Sequence, residues 1–219
     1  MSVKFAHGRI NTEPTQAEQI ERAEHSDFLF GRVNPVSVAK AVKPGILQCE
    51  YARITVETTW TDSIRKMGGG SIPLGCRALM DNTGADGLLV DTPFEGADPW
   101  ANVKLIDEIR AAIAPRFVMP NFGDADTWAG RTSPAKALAA ITDWHLVEVF
   151  IDINRYSIVQ FASLVDAVTR ALAYGKHLVL GVYDNGAVNG EKAKSVMQNW
   201  ENRVYWSYKI SPTEWGFMT

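Results

Sequence analysis

Cysteine is scarce: Cys49 and Cys76 are the only two in the chain. Two cysteines cannot build a disulfide framework, and these lack the paired spacing of a zinc site, so no metal is expected. Cys49 lies inside an apolar strand pattern and reads as a buried thiol. No apolar run reaches the length of a membrane span, so no membrane partner is expected. Residues 1–10 lack the apolar core of a secretion signal. The expected location is the cytoplasm, with export only by assembly into something larger, such as a virus particle. An excess of basic charge is missing too. The formal net charge is −3, with no basic patch interleaved with aromatics, which argues against nucleic acid as a partner. No G-x-G-x-x-G follows the first strand and no P-loop occurs, so no cofactor is expected. Internal repeats, low-complexity stretches and Pro/Ser-rich linkers are also absent, and residues 1–219 read as one domain.

What is present is an alternation of strands and helices. Thr15-Gln16-Ala17-Glu18 is a capping box that opens a helix to about Glu24. Asn34-Pro35 opens a second, to about Val42. Trp100 to Ala114 places Val103, Ile106, Ile109 and Ile113 on one face. Further helices are predicted over 133–143, from Ile158 to the Gly175 stop, and over 191–201. Strands are predicted over 3–6, 27–33, 46–53, within the stretch 84–94, and over 116–120, 146–152, 178–183 and 204–210. Residues 54–83 are the least readable, with a helix from Trp60 to Met67 and a turn at Gly68-Gly69-Gly70-Ser71. Residues 211–219 carry Trp215 and Phe217 and are too apolar to float free. Strands separated by helices imply right-handed βαβ units and a parallel sheet. Eight of them predict the α/β class in its closed form, a compact (β/α)8 TIM barrel, with an open doubly wound sheet as the alternative.

The stretch from Gly84 to Phe94 organises this pattern. A turn signal at Asp86-Gly87 precedes Leu88-Leu89-Val90, and Asp91 stands where the apolar run stops. The C-terminal end of a parallel strand is where such folds place their chemistry. If Leu88 and Val90 face the helices, Leu89 and Asp91 point inward. On the sixth strand Val147, Val149 and Ile151 form an apolar set, which turns Glu148 and Asp152 inward. Asp91 and one of these acids would then meet across the barrel mouth. The plainer role for Glu148 is a hydrogen-bonded core acid paired with Arg53 or Lys209.

The same parity argument, with Leu47, Cys49 and Tyr51 facing helices, turns Gln48 and Glu50 inward on the third strand. His7 follows the first strand and Asn121 ends the fifth. Asp184-Asn185 ends the seventh, and Trp206 and Tyr208 lie on the eighth. A rim of carboxylates, amides and aromatics suits a sugar: rings stack on pyranose faces, and acids and amides bind hydroxyls. Glu50, Asn121, Asp152, Asp184, Trp206 and Tyr208 are therefore the expected carbohydrate-binding residues.

Ala85-Asp86-Gly87-Leu88-Leu89-Val90-Asp91-Thr92 resembles the strand of glycoside-hydrolase-like barrels in which Asp-Gly leads three apolar residues to an Asp. These barrels include the endo-α-1,4-polygalactosaminidase family and glycosyl-hydrolase-like proteins of bacteria and phages. Leu105 to Asn121, Trp144 to Phe150 and Gly175 to Leu180 are similar to later parts of the same pattern, so the resemblance covers most of the chain. It implies that Asp91 is the nucleophile and Glu148 the proton donor, with Asp152 as the fallback acid. One departure stands out. The family would place a helix before Gly84, and here only Asn82-Thr83 follow Arg77 to Asp81. Either Trp60 to Met67 takes over that packing, or the barrel is eroded between its third and fourth strands.

Two functions stay open on these grounds. One is a glycosidase that cleaves a polysaccharide or glycoconjugate. The other is a non-catalytic carbohydrate-binding or structural protein on a degenerate barrel, such as a virion component. A phosphate-handling barrel enzyme is weaker, because Asp184-Asn185-Gly186 is acidic where a phosphate loop should be glycine-rich. The oligomeric state is not legible.

Overall fold

Side chains of opposite parity on the same strands fall into two separate apolar clusters, and that division defines the architecture. One holds only strand residues, among them Phe28, Phe30, Cys49, Leu89, Met119, Leu146 and Val179. The other joins strand residues of the opposite parity, such as Leu29, Leu88, Val90, Val118, Val147 and Leu180, to helix residues. The first fills a barrel and the second packs helices around it, as alternation on a strand requires.

The computed structural model describes residues 4–10, 12–91, 93–96, 98–129, 132–151, 158–182, 204–211 and 214–216. In chain order the elements are β1 (Lys4–Arg9), α1 (Gln16–His25), β2 (Phe28–Gly31), α2 (Val36–Val42), β3 (Leu47–Arg53), α3 (Thr59–Met67) and α4 (Ile72–Thr83). They continue with β4 (Gly87–Asp91), α5 (Pro99–Ile113), β5 (Phe117–Pro120), α6 (Ala125–Trp128), α7 (Ser133–Ile141), β6 (Trp144–Ile151), α8 (Ile158–Ala173), β7 (His177–Val182), β8 (Val204–Ser211) and β9 (Glu214–Gly216). The helix expected over 191–201 lies outside the described residues. Among the described residues no helix is long and apolar enough to cross a membrane.

β1 to β8 are parallel to their neighbours and make a nearly closed (β/α)8 barrel. Two seams are thin. β5 and β6 meet through the single bridge Asn121–Leu146, reinforced by the Phe122 N–H donating to the Leu146 carbonyl at 2.8 Å. Among the described residues, β8 and β1 pair at Lys4–Tyr205 and Phe5–Trp206 alone. Above that contact the two strands part, and the tail returns between them as the antiparallel β9, with Trp215 opposite both Gly8 and Lys209.

The interior is layered along the axis. At the N-terminal ends of the strands the Trp144 ring stacks at 4.5 Å on Phe117 and at 4.4 Å on His177, with Phe28 at 5.2 Å and Tyr205 at 5.7 Å. These rings plug the bottom. Phe30, Cys49, Leu89, Met119, Leu146 and Val179 fill the next layer. Each large apolar side chain buried there contributes about 1.5–3 kcal/mol. One turn of alternation further, the same strands present Tyr51, Asp91, Asn121 and Glu148, so polarity begins only at the C-terminal mouth.

The barrel is not eroded between β3 and β4: α3 and α4 both fill that gap. α4 was hard to read because Pro73 and Gly75 sit in it. Pro73 lies in the first turn, where its missing N–H costs nothing, and Ser71 caps the helix by accepting from the Leu74 N–H. Gly75 has a packing reason. A Cβ there would lie 1.8 Å from the Ile64 carbonyl oxygen, so only glycine allows α4 this close to α3.

The expectation for the third strand is corrected. Cys49 faces the interior and Tyr51 packs against it, while Gln48 and Glu50 face the helices. Both polar side chains are fully buried and hold the loop after β2. Gln48 Nε2 donates to the Val36 carbonyl at 2.9 Å, and Gln19 Nε2 donates to the Val33 carbonyl at 2.8 Å. Glu50 accepts from the Val33 N–H at 3.4 Å and lies 3.7 Å from the Arg32 guanidinium. Satisfying buried loop backbone outweighs the usual preference for apolar groups on a helix-facing strand surface. His7 is likewise inside β1, buried, and not at the rim.

Candidate active site

Asp91 is the last residue of β4, and two neighbours hold its carboxylate. Tyr51 donates its hydroxyl to Asp91 Oδ2 at 3.0 Å, and Asn121 Nδ2 donates to Oδ1 at 2.9 Å. The backbone at Asn121 is fixed in turn, because its N–H donates to the Val90 carbonyl at 2.9 Å. Burial and the adjacent Asp91 charge both push the Tyr51 phenol well above its ordinary range, so Tyr51 acts here as a donor.

Glu148 approaches the same group from the opposite side. Asn121 Nδ2 also donates to Glu148 Oε2 at 3.1 Å. The Asn121 side-chain oxygen accepts from the Gly123 N–H at 2.9 Å, which fixes the amide's orientation and aims both amide hydrogens at acids. Two oxygens at 2.9 and 3.1 Å from one nitrogen lie no more than about 6 Å apart.

Glu148 owes its place to an irregularity in β6. Val147 pairs with Leu180 and Ile151 with Val182, so β6 spends more residues than β7 over the same rise. Such a bulge re-aims side chains and is common beside active sites. Gly181 lies opposite it. A Cβ on Gly181 would stand 1.9 Å from the Glu148 carbonyl oxygen, so glycine is needed for the two strands to meet here. The bulge also means that simple alternation does not carry from Glu148 to Asp152.

The structure brings Asp91, Asn121 and Glu148 together, all half-buried, around a cavity of about 30 Å³ that Tyr51, Ile10, Phe30, Leu89 and Leu146 complete. It does not bring Glu50 or Trp206 to the mouth. Glu50 faces the helix layer, and Trp206 is fully buried in the core between barrel and helices. Glu148 is not paired with Arg53, whose partner is Glu95 at 2.9 Å. Asp152 and Asp184 lie outside the described residues, as does the side chain of Tyr208. Among the described residues no group of three or more His, Cys, Asp or Glu side chains could hold a metal.

Sequence reasoning missed Tyr51 and Arg53 as mouth residues. Both follow once Cys49 is turned inward, and an apolar cysteine flanked by Gln48 and Glu50 carried that signal. It also missed the larger cleft beside the pair, about 320 Å³, lined by Ile10, Arg32, Tyr51, Arg53, Thr58 and Trp60.

No protein-family model matches the sequence, and no curated protein matches it. Solved structures match by fold. The glycoside hydrolase domain of PelA from Pseudomonas aeruginosa is similar with a TM-score of 0.58 at 14% identity, over 93% of this chain and 93% of that one. A GH18 chitinase from Pseudoalteromonas aurantia is similar with a TM-score of 0.55 at 11% identity, over 94% of each chain. The barrel is one that glycoside hydrolases use. A candidate deoxyribose-phosphate aldolase from Toxoplasma gondii ME49 is also similar, with a TM-score of 0.56 at 10% identity, over 94% of this chain and 87% of that one. The likeness therefore shows the fold and leaves the chemistry to the mouth.

Proposed function

We propose that the protein is a glycoside hydrolase acting on a polysaccharide or glycoconjugate with retention of configuration, with Asp91 as nucleophile and Glu148 as acid and base. The observation that carries this reading is the single Asn121 amide between the two acids. The separation of no more than about 6 Å that it implies admits the about 5–5.5 Å of retaining enzymes and falls short of the about 6.5–9.5 Å that leaves room for an inverting enzyme's water.

The steps follow from the positions. Asp91 attacks the anomeric carbon as the glycosidic C–O bond breaks, and Glu148 passes its proton to the leaving oxygen. A glycosyl ester on Asp91 results. Glu148, now a carboxylate, takes a proton from water, whose oxygen attacks the same carbon and frees Asp91. The Tyr51 hydroxyl and the Asn121 amide orient the Asp91 carboxylate, so little rearrangement is needed on the way to the transition state.

The resemblance to polygalactosaminidase-like and phage barrels supports the same pair and a carbohydrate substrate. The narrowness of the mouth supports a second reading. About 30 Å³ is the share of one water molecule, so a sugar must sit above the pair or open it. In that reading the barrel binds carbohydrate without cleaving it, as a structural or adhesive part of an assembly such as a virus particle.

Reducing-end release from a polysaccharide panel separates the two. Hydrolysis by the wild type that is lost in Asp91→Asn and in Glu148→Gln supports the enzyme. Binding without release by the wild type supports the second reading.

A further inference from the structure

The 320 Å³ cleft is continuous with the mouth, because Ile10 and Tyr51 line both. Its volume falls in the range of small-ligand sites, about 300–1,000 Å³. Arg53 ties it to the chemistry: it is the register partner of Asp91 on the adjacent strand. Neighbouring strands lie about 4.8 Å apart, so a chain of sugars crossing Asp91 toward β3 passes over Arg53 next.

The charges in the cleft have one sign. Among the described residues, Arg32 and Arg53 are its charged lining residues, and no carboxylate is among them. Arg32 lies over the Trp60 ring, with its guanidinium carbon 4.5 Å from the ring centre. Stacked guanidinium is pre-organised for two-point contact with a planar anion.

Each arginine already has acidic neighbours, and these leave donors over. Arg53 gives Glu95 one Nη2 hydrogen, and both side chains are well exposed, so water screens the pair and a ligand can compete with it. Arg53 Nε is buried out of a ligand's reach, so the donors left over are the Nη hydrogens not given to Glu95. Arg32 pairs with Glu13 outside and with Glu50 beneath at 3.7 Å. Burial pushes the Glu50 carboxyl up to about 7, so near neutral pH it cancels only part of the Arg32 charge.

We infer that this cleft is the subsite next to the scissile bond and that it takes an anionic sugar unit, one bearing a carboxylate or a sulfate, through Arg53 and Arg32. The inference rests on the glycosidase reading for the word scissile. An unacetylated amino sugar is disfavoured there, because its ammonium would face two guanidinium groups.

The test uses the full chain carrying Glu148→Gln, so that bound sugars persist, and calorimetry with four tetrasaccharides: galacturonate, sulfated galactose, N-acetylglucosamine and glucosamine. At low salt the better of the two anionic tetramers binds about tenfold tighter than the neutral one, and the margin shrinks as salt is added. Which anionic tetramer leads distinguishes carboxylate from sulfate. Adding Arg53→Gln brings the anionic tetramers to within about threefold of the neutral one measured on the same variant, while Arg53→Lys keeps part of the margin. Equal or tighter binding of the neutral or cationic tetramer overturns the inference, as does a preference that survives Arg53→Gln or a failure of all four to bind. Asp91-dependent hydrolysis without the anion preference removes the subsite and leaves the enzyme. The preference without hydrolysis removes the enzyme and leaves the subsite.

Discussion

One amide nitrogen serves two acids: Asn121 Nδ2 lies 2.9 Å from Asp91 Oδ1 and 3.1 Å from Glu148 Oε2. Asn121 stands on the thin seam between β5 and β6, so the contact that closes the barrel also spaces its acids. Asn121→Ala should remove that spacing. The expected result is a fall in kcat of about 10- to 100-fold, the size of one lost hydrogen bond to a charged group, with a smaller change in KM. Steady-state kinetics on the best substrate of the panel check this. An unchanged kcat would show that the amide does not matter to the reaction.

Retention of configuration is the second expected outcome. Proton NMR of the first product formed from a single-anomer substrate should show the starting configuration before mutarotation. Inversion would require the acids to move apart, to the range that admits a water between them.

Gly181→Ala is expected to act on activity through the backbone. The added Cβ meets the Glu148 carbonyl oxygen and pushes β6 from β7 at the bulge. Stability should fall by about 1–3 kcal/mol, and activity by more than that loss of folded protein accounts for. Thermal unfolding read beside kcat per folded molecule separates the two. A variant with full specific activity would mean that Glu148 does not depend on the bulge.

Much of the fold is legible because its signals are local. The capping box at Thr15 is present with both its hydrogen bonds, and the helix face of Val103, Ile106, Ile109 and Ile113 is buried as spaced. Asp91 and Glu148 could be brought together because Leu88 and Val90, and Val147 on β6, mark the helix-facing parity. Glu50 could not be placed. A strand of mixed polarity has no parity signal when its polar side chains serve backbone at Val33 and Val36 and the Gln19 side chain of α1, which is a long-range relation. Trp206 failed for the converse reason, since an aromatic suits either face of a barrel strand. The cleft at Arg53 depends on α3 lying beside β3, and no local pattern carries that.

Two buried groups give stability opposite pH trends. Burial lowers His145 to about 4. Its Nδ1 accepts from the Trp128 indole at 3.1 Å, so the other ring nitrogen carries the proton and donates to the Thr142 carbonyl. Its folded value is depressed below 6.5, so its contribution is complete above about 6.5 and is lost as pH falls through about 4. Glu50 is raised from 4.5 to about 7, so its contribution is complete below about 4.5 and is lost as pH rises through about 7. Glu50→Gln should remove the second trend only. Its melting temperature should gain on the wild type between pH 5 and 8 and show no such gain near pH 4. Parallel melting curves across that range would mean that Glu50 does not titrate as its burial requires.

The most direct measurement is reducing-end release by three proteins on one polysaccharide panel: wild type, Asp91→Asn and Glu148→Gln, each verified as folded. Loss of the general acid is expected to cost about 10²–10⁴-fold, and loss of the nucleophile at least as much. Release by the wild type with that loss in both variants is the expected result. Release that survives unchanged in either variant would contradict the assignment of the pair.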